Sequence, residues 1–280
     1  MLETIETISR LRAWRSAVPR DTTVALVPTM GALHAGHAAL MDAARRDGGV
    51  VAVSIFVNPL QFNNKDDLAR YPRTLEDDVA FCRAHGVEIV FAPSAPEVYP
   101  QALECSVDVG RLADHLCGPF RPGHFRGVAT VVLKLFDMVQ PHRAYFGEKD
   151  AQQLAIVKRL VADFNLPIAI VGVPAVREAD GLAMSSRNRH LSADERRVAV
   201  CLYQSLLEAT RRISSGEKGP AAIISAAAAT IPRSAGLKLE YLEIVDPNTL
   251  QPVDEINGPA LVAGALWVGS TRLIDNVLVS

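Results

Sequence analysis

The sequence predicts an α/β fold, a doubly wound parallel sheet followed by a smaller α+β domain. Three observations predict it. Short apolar runs recur through the first part of the chain, helical patterns separate them, and the character changes after Pro174. A strand apolar on both faces needs cover on both faces, and alternation with amphipathic helices supplies it. We therefore expect a Rossmann-like domain over residues 1–175 and a smaller C-terminal α+β domain over residues 176–280.

The elements follow in order. "MLETIETISRLRAW" reads as an acidic, helix-patterned stretch that lacks the basic-then-apolar order of a signal peptide. Strands are expected at Thr23 to Thr29, Val50 to Val57, Val87 to Ala92, Arg143 to Gly147 and Ile168 to Pro174. Between them "AALMDAARR", "TLEDDVAFCRAHG", "GVATVVLKLFDMV" and "DAQQLAIVKRLVADF" carry helical periodicity. After a polar, turn-rich stretch, helical segments are expected over Ala193 to Ser214 and in "PAAIISAAAATI". Three strand-like runs close the chain: "LKLEYLEIVD", "ALVAGALWVG" and "TRLIDNVLV".

Composition narrows the function classes. The chain has 280 residues, 49% of them apolar and 21% charged, with a net charge of -2. That length buries a large core. No positive field draws the chain to nucleic acid or an anionic membrane, and no apolar run is long enough to span a bilayer. Cys82, Cys105, Cys117 and Cys201 are scattered, with no CxxC pair, so reduced thiols and a cytoplasmic enzyme are expected.

The most informative stretch is "VPTMGALHAGH", where the first long strand becomes a helix. His34 and His37 lie three residues apart and share a helix face. Zinc ligation needs further ligands that HxxH alone does not supply. A capping or packing pair is a second reading. The third uses position: beyond a strand's carboxyl end, a helix N-terminus presents unpaired N–H groups and a positive dipole end to an anion. Gly31 and Gly36 let the backbone approach a phosphate closely. The stretch has neither GxGxxG nor GxxxxGK[ST], which excludes a dinucleotide fingerprint and a P-loop. Charge pulls two ways here. The helix N-terminus disfavours an imidazolium, whereas a bound triphosphate favours one.

"TMGALHAGH" resembles the HxGH signature of the nucleotidyltransferase superfamily. With "IFVNPLQF", "YPRTLEDD", "RPGHFRGVATVV", "FGEKDAQQ", "GVPAVREADGLAMSSRN" and "RLIDN" in the same order, the chain resembles the pantothenate synthetase (pantoate–β-alanine ligase) family over most of its length. The resemblance implies an ATP-dependent condensation of pantoate with β-alanine through a pantoyl adenylate, in pantothenate and coenzyme A biosynthesis. It also implies a homodimer, and a smaller domain that covers the active site.

The resemblance distributes roles as follows. His37 is the catalytic donor toward the phosphates, with His34 and Lys149 beside it. Met30, Gly31, Ala32, Leu33, His34, Ala35, Gly36 and His37 form the first ATP-binding segment. Gly147, Glu148, Lys149 and Asp150 form the second, where Lys149 is a cation for phosphate and Asp150 suits a ribose hydroxyl or a helix cap. Val176 meets adenine through its backbone. Met184, Ser185, Ser186 and Arg187 act as a phosphate clamp, since hydroxyls beside a guanidinium suit phosphate oxygens. Gln61 and Gln153 are neutral amides for pantoate and β-alanine, and Phe62 is a wall for the geminal methyls. Asp77 and Asp78 are expected to help hold Mg²⁺, directly or through water. Arg126 is a further candidate for balancing pyrophosphate charge. Three other readings compete: a nucleotidyltransferase acting on a phosphorylated acceptor, a nucleotide-binding regulator, and a synthetase-like RNA binder, which the mild acidity disfavours.

Overall fold

The computed structural model describes residues 2–234 and 236–280. The chain divides into two compact units. The first runs to Val109 and adds Arg121–Glu148 and Ile156–Pro174; the second comprises Gly110–Phe120, Lys149–Ala155 and Ala175–Ser280.

In the first unit, strands β1 (Glu3–Ile5), β2 (Val24–Thr29), β3 (Val50–Ile55), β4 (Ile89–Phe91), β5 (Arg143–Gly147) and β6 (Ala169–Val173) form one sheet. The order is β1-β4-β3-β2-β5-β6, and every pairing is parallel. From β2 the chain winds outward through β3 and β4, then returns to lay β5 and β6 on the other side. The winding reverses between β2 and β5, and ligands of open α/β sheets collect at such a switch point. Registered pairing between these strands covers only Ala25 with Arg143 and Leu26 with Ala144. Thr29 and Gly147, the carboxyl ends of the two strands, lie beyond that ladder.

The sheet core follows from the apolar runs. Helix Ala35–Arg46 places Leu40, Met41, Ala43 and Ala44 in one buried cluster with Val27, Val51, Val53 and Tyr145. Each such large aliphatic side chain contributes about 1.5–3 kcal/mol by leaving water. That packing fixes where the helix begins, and so where His34 and His37 stand.

The second unit is built on an antiparallel sheet of β7 (Leu237–Val245), β8 (Ala260–Val268) and β9 (Thr271–Val279), in that order. Helices Cys201–Ser214 and Pro220–Ala228 bury Leu206, Ala209, Ile223 and Ala227 with Leu242, Ile244 and Val262 of the sheet.

Two expectations need correction. The N-terminal stretch is not helical throughout: Glu3–Ile5 is a strand that pairs with β4, and the helix Ile8–Ala17 starts after the Thr7 cap. A three-residue edge strand is too short for periodicity to show. The stretch Ala193 to Ser214 is two helices, Ala193–Ala199 and Cys201–Ser214, which meet at Val200. Among the described residues, no helix is long and apolar enough to cross a membrane. The four cysteines are free thiols, and burial, helped by the Asp78 charge, pushes Cys82 up to about 12.

Candidate active site

The turn after β2 is shaped by an unusual backbone and by one buried carboxylate. Gly31 and Ala32 both have positive φ, at 83° and 51°. The first is natural for glycine; the second costs an alanine some strain. Asp78, 3% exposed on helix Leu75–Ala84, offsets that strain. Its Oδ2 accepts the Ala32 N–H at 2.9 Å and its Oδ1 accepts the Leu33 N–H at 2.8 Å. The Thr74 hydroxyl donates to Oδ2 at 3.1 Å. Gly31 has to be glycine for a second reason: a Cβ there would stand 2.9 Å from Asp78 Oδ2. Charge-assisted bonds of this kind are about twice as strong as neutral ones.

The histidines cap the helix that follows. His34 is the N-cap, and its Nδ1 accepts the Gly36 N–H at 3.1 Å. His37 Nδ1 accepts the His34 N–H at 3.2 Å. The two rings lie 4.2 Å apart between centroids. A neutral ring that accepts at Nδ1 carries its proton on Nε2. The caps therefore select one tautomer for both rings, and a proton on either Nδ1 would set N–H against N–H. Capping therefore uses Nδ1 of each ring.

Gln61 is held from several sides in the same unit. It ends the short helix Pro59–Gln61 and is 8% exposed. Its Oε1 accepts from Asn58 Nδ2 at 3.1 Å, and its Nε2 donates to the Met30 sulfur at 3.1 Å. The Gln61 carbonyl accepts from His124 Nδ1 at 2.8 Å and from Arg121 at 3.3 Å. Asn58 in turn donates to the Gly127 carbonyl and accepts from the Tyr99 hydroxyl. Burial pushes that hydroxyl well above the usual tyrosine range. Phe62 packs edge-on against Tyr71, 5.6 Å between centroids. Met30 and Gln61 are thus brought together. Asp77 is exposed on the helix surface, apart from the backbone contacts of Asp78. Arg126 donates to Ser106 at 2.7 Å on an exposed face. No group of three or more His, Cys, Asp or Glu among the described residues has a metal-holding arrangement.

The second unit carries the remaining candidates except Gly147 and Glu148, which end a segment of the first. The chain passes from the first unit into the second within Gly147 to Asp150. Lys149 Nζ lies 3.7 Å from Asp150 Oδ1, and the Lys149 carbonyl accepts from Asn276. Helix Ala151–Asp163 carries the half-buried Gln153, while Gln152 beside it is buried. Gln152 accepts the Cys117 N–H and donates to the carbonyls of Leu112 and His115. Val176 and Met184 close a hairpin, the Met184 N–H donating to the Val176 carbonyl at 2.9 Å. Ser185 caps the short helix Ser186–His190, accepting the Arg187 N–H at 3.2 Å. Arg196 braces the hairpin, donating to Glu178 at 2.7 Å and to Asp180 at 2.5 Å. That guanidinium holds the Asp180 carboxyl below its ordinary range.

Sequence reasoning passes over Asp78 as a backbone partner, and His124, Arg121, Asn58 and Gln152 altogether. The only local signal is the buried phase of Asp78 and Gln152 on their helices, each four residues before an apolar core position, Cys82 and Ile156.

A parallel sheet with a histidine-capped turn at its switch point defines a Rossmann-like α/β protein of the HxGH type. Comparison with known proteins narrows this. The sequence profile described as pantoate-beta-alanine ligase matches residues 3–278, and the chain belongs to that family. It is 54% identical over 260 residues to the bifunctional pantoate ligase/cytidylate kinase of Thermosynechococcus vestitus, covering 92% of this chain and 51% of that one. The chain thus spans about half the length of such curated relatives. A crystal structure of pantothenate synthetase from Thermus thermophilus superposes with a TM-score of 0.93 at 45% identity, covering 99% of both chains. Pantoate-beta-alanine ligase from Francisella tularensis, solved in complex with β-γ ATP and β-alanine, gives 0.83 at 33% identity, covering 99% of this chain and 98% of that one.

Proposed function

We propose that this protein condenses pantoate with β-alanine at the expense of ATP, giving pantothenate, AMP and pyrophosphate through a pantoyl adenylate. The family match across residues 3–278 carries the reading. The ATP and β-alanine complex of the Francisella relative supports two of the substrates. In the first step a pantoate carboxylate oxygen bonds to the α-phosphorus, and the bond to the bridging oxygen breaks with pyrophosphate leaving. In the second, the β-alanine amine attacks the acyl carbon, gives up a proton, and AMP leaves.

The residues have defined tasks in this scheme. His37 and His34 donate Nε2–H to phosphate oxygens as charge grows on the leaving pyrophosphate, from positions that the helix caps fix beforehand. Lys149 adds a cation; Met30 to His37, Gly147 to Asp150, Val176 and Met184 to Arg187 bind the nucleotide. Gln61 and Gln153 orient pantoate and β-alanine, with Phe62 against the methyls. Mg²⁺ supplies charge neutralisation on the triphosphate. The exposed carboxylate of Asp77 suits its hydration shell, whereas both oxygens of Asp78 are turned to the backbone. A domain division at 175/176, a homodimer and a cytoplasmic location belong to the same proposal.

One experiment tests it. Protein, ATP, Mg²⁺, pantoate and labelled pyrophosphate are incubated without β-alanine. Label entering ATP only when pantoate is present is the expected result. No exchange with any acid would sink acyl adenylation.

A further inference from the structure

β9 places a charge where its pattern calls for an apolar residue. Thr271, Leu273, Asp275 and Val279 are its buried positions, and Asp275 is 5% exposed among them. A carboxylate at such a site is tolerated only when paired and hydrogen-bonded. Asp275 is: Arg177 donates to both its oxygens, at 2.6 and 3.0 Å, and the Asn276 N–H donates to Oδ1 at 2.8 Å. Arg177 also donates to the Gly181 carbonyl at 3.1 Å and lies 3.7 Å over the Tyr203 ring. Tyr203 leaves no room beside Gly181, where a Cβ would stand 2.6 Å from its ring. The base and the tip of the hairpin that begins at Val176 are therefore fixed to one side chain of β9.

The next residue grips a different segment. Asn276 Nδ2 donates to the Lys149 carbonyl at 2.8 Å. Successive residues of a strand point to opposite faces, and their Cα atoms are a fixed ~3.8 Å apart. One dipeptide thus sets the Lys149 backbone and the Arg177 hairpin in a single register. The ladder to β8, where Asp275 pairs with Gly264 and Asn276 with Ala263, makes that dipeptide stiff. A buried ion pair stabilises little more than a well-packed apolar substitute would. What the fork adds is direction, since Arg binds a carboxylate in one plane.

We propose that Asp275 and Asn276 are positioning residues for the nucleotide phosphates, acting through Lys149 and through the hairpin that leads into Met184 to Arg187. The proposal rests on the nucleotide reading of those two segments. It makes "RLIDN", otherwise only a strand, part of the ATP machinery.

The test uses Asn276→Ala and Arg177→Lys in the full chain. Three quantities are measured: affinity for a non-hydrolysable ATP analogue by calorimetry, pantoate-dependent pyrophosphate exchange, and aminolysis of supplied pantoyl adenylate by β-alanine. A misplacement near 1 Å costs about 10²-fold in rate. We expect Asn276→Ala to weaken analogue binding or the ATP-dependent exchange by about 10- to 100-fold, with aminolysis, whose adenylate lacks the β- and γ-phosphates, falling much less, and with the melting temperature lowered by only a few degrees. Arg177→Lys keeps the charge but not the fork, and is expected to move in the same direction. Unchanged analogue affinity and exchange in folded Asn276→Ala would overturn the proposal. So would a parallel fall of both half-reactions, which marks a merely structural role. If wild type binds the analogue but shows no exchange, the pantoate reading fails, and the binding comparison still judges this one.

Discussion

Asp78 Oδ1 accepts the Leu33 N–H at 2.8 Å, a bond between residues 45 positions apart. Through it a helix on the surface of the sheet dictates the backbone of the histidine turn. Asp78→Asn keeps the shape but replaces one acceptor oxygen with an NH₂ that faces a backbone N–H. Loss of a buried, charge-assisted bond costs about 1–3 kcal/mol. The expected result is a lower urea midpoint together with a fall in exchange rate. Unchanged stability would mean that the carboxylate is not committed to the turn.

The two nitrogens of His37 make separable predictions. An asparagine offers an acceptor close to where Nδ1 stands, but nothing at Nε2. His37→Asn is therefore expected to keep the helix cap, within about 1 kcal/mol, and to lose about 10²–10³ in activity, the usual effect of deleting one donor to developing charge. His37→Ala loses both. His34→Asn places a preferred N-cap residue at the cap and is expected to leave stability at least unchanged. Equal activity of His37→Asn and wild type would return this residue to capping alone.

Much of this architecture is legible because it repeats locally. Arg143 to Gly147 reads as a strand and is β5 residue for residue. The runs behind β2 and β3 are short and mostly apolar, and their alternation with helical patterns marks them as strands. What stays hidden depends on long-range partners. Glu3–Ile5 is a strand because β4 lies beside it, not because of its own pattern. Asp77 and Asp78 look alike in "TLEDD", yet only Asp78 faces the turn. The capping role of the histidines and the anion role proposed for them also look like rivals in sequence, because a one-letter code does not separate Nδ1 from Nε2.

The hairpin after Val176 has an acid-sensitive brace. Arg196 holds the Asp180 carboxyl below its ordinary value of 3.8, chiefly through their hydrogen bond. A carboxyl lowered in the folded state contributes stability above its unfolded value, and loses it as pH falls through the folded one. Asp180→Asn is thus expected to melt slightly below wild type at pH 6, by an amount typical of exposed pairs, about 0.2–1 kcal/mol. The gap should close as pH drops through and below 3.8. Melting curves at both ends of that range check it; a gap that widens in acid would reverse the sign.

Gly127 provides the sharpest test of how Gln61 is positioned. It lies on helix His124–Val139, where glycine is normally worse than alanine by about 0.5–1 kcal/mol. On propensity alone, Gly127→Ala should stabilise the protein. Its surroundings say the opposite. A Cβ would stand 2.4 Å from the Leu60 carbonyl oxygen and 2.8 Å from the Gln61 nitrogen. Both are backbone atoms, so no rotamer relieves the clash, and helix and turn must part. Overpacking of this kind costs about 1–3 kcal/mol. The Gln61 carbonyl is bonded to His124 at the start of the same helix, so the amide moves with the turn. We expect a lower urea midpoint and a raised pantoate KM in the exchange reaction, with the KM for ATP changed much less. A Gly127→Ala protein as stable as wild type, or affected equally toward both substrates, would show that this close approach does not position Gln61.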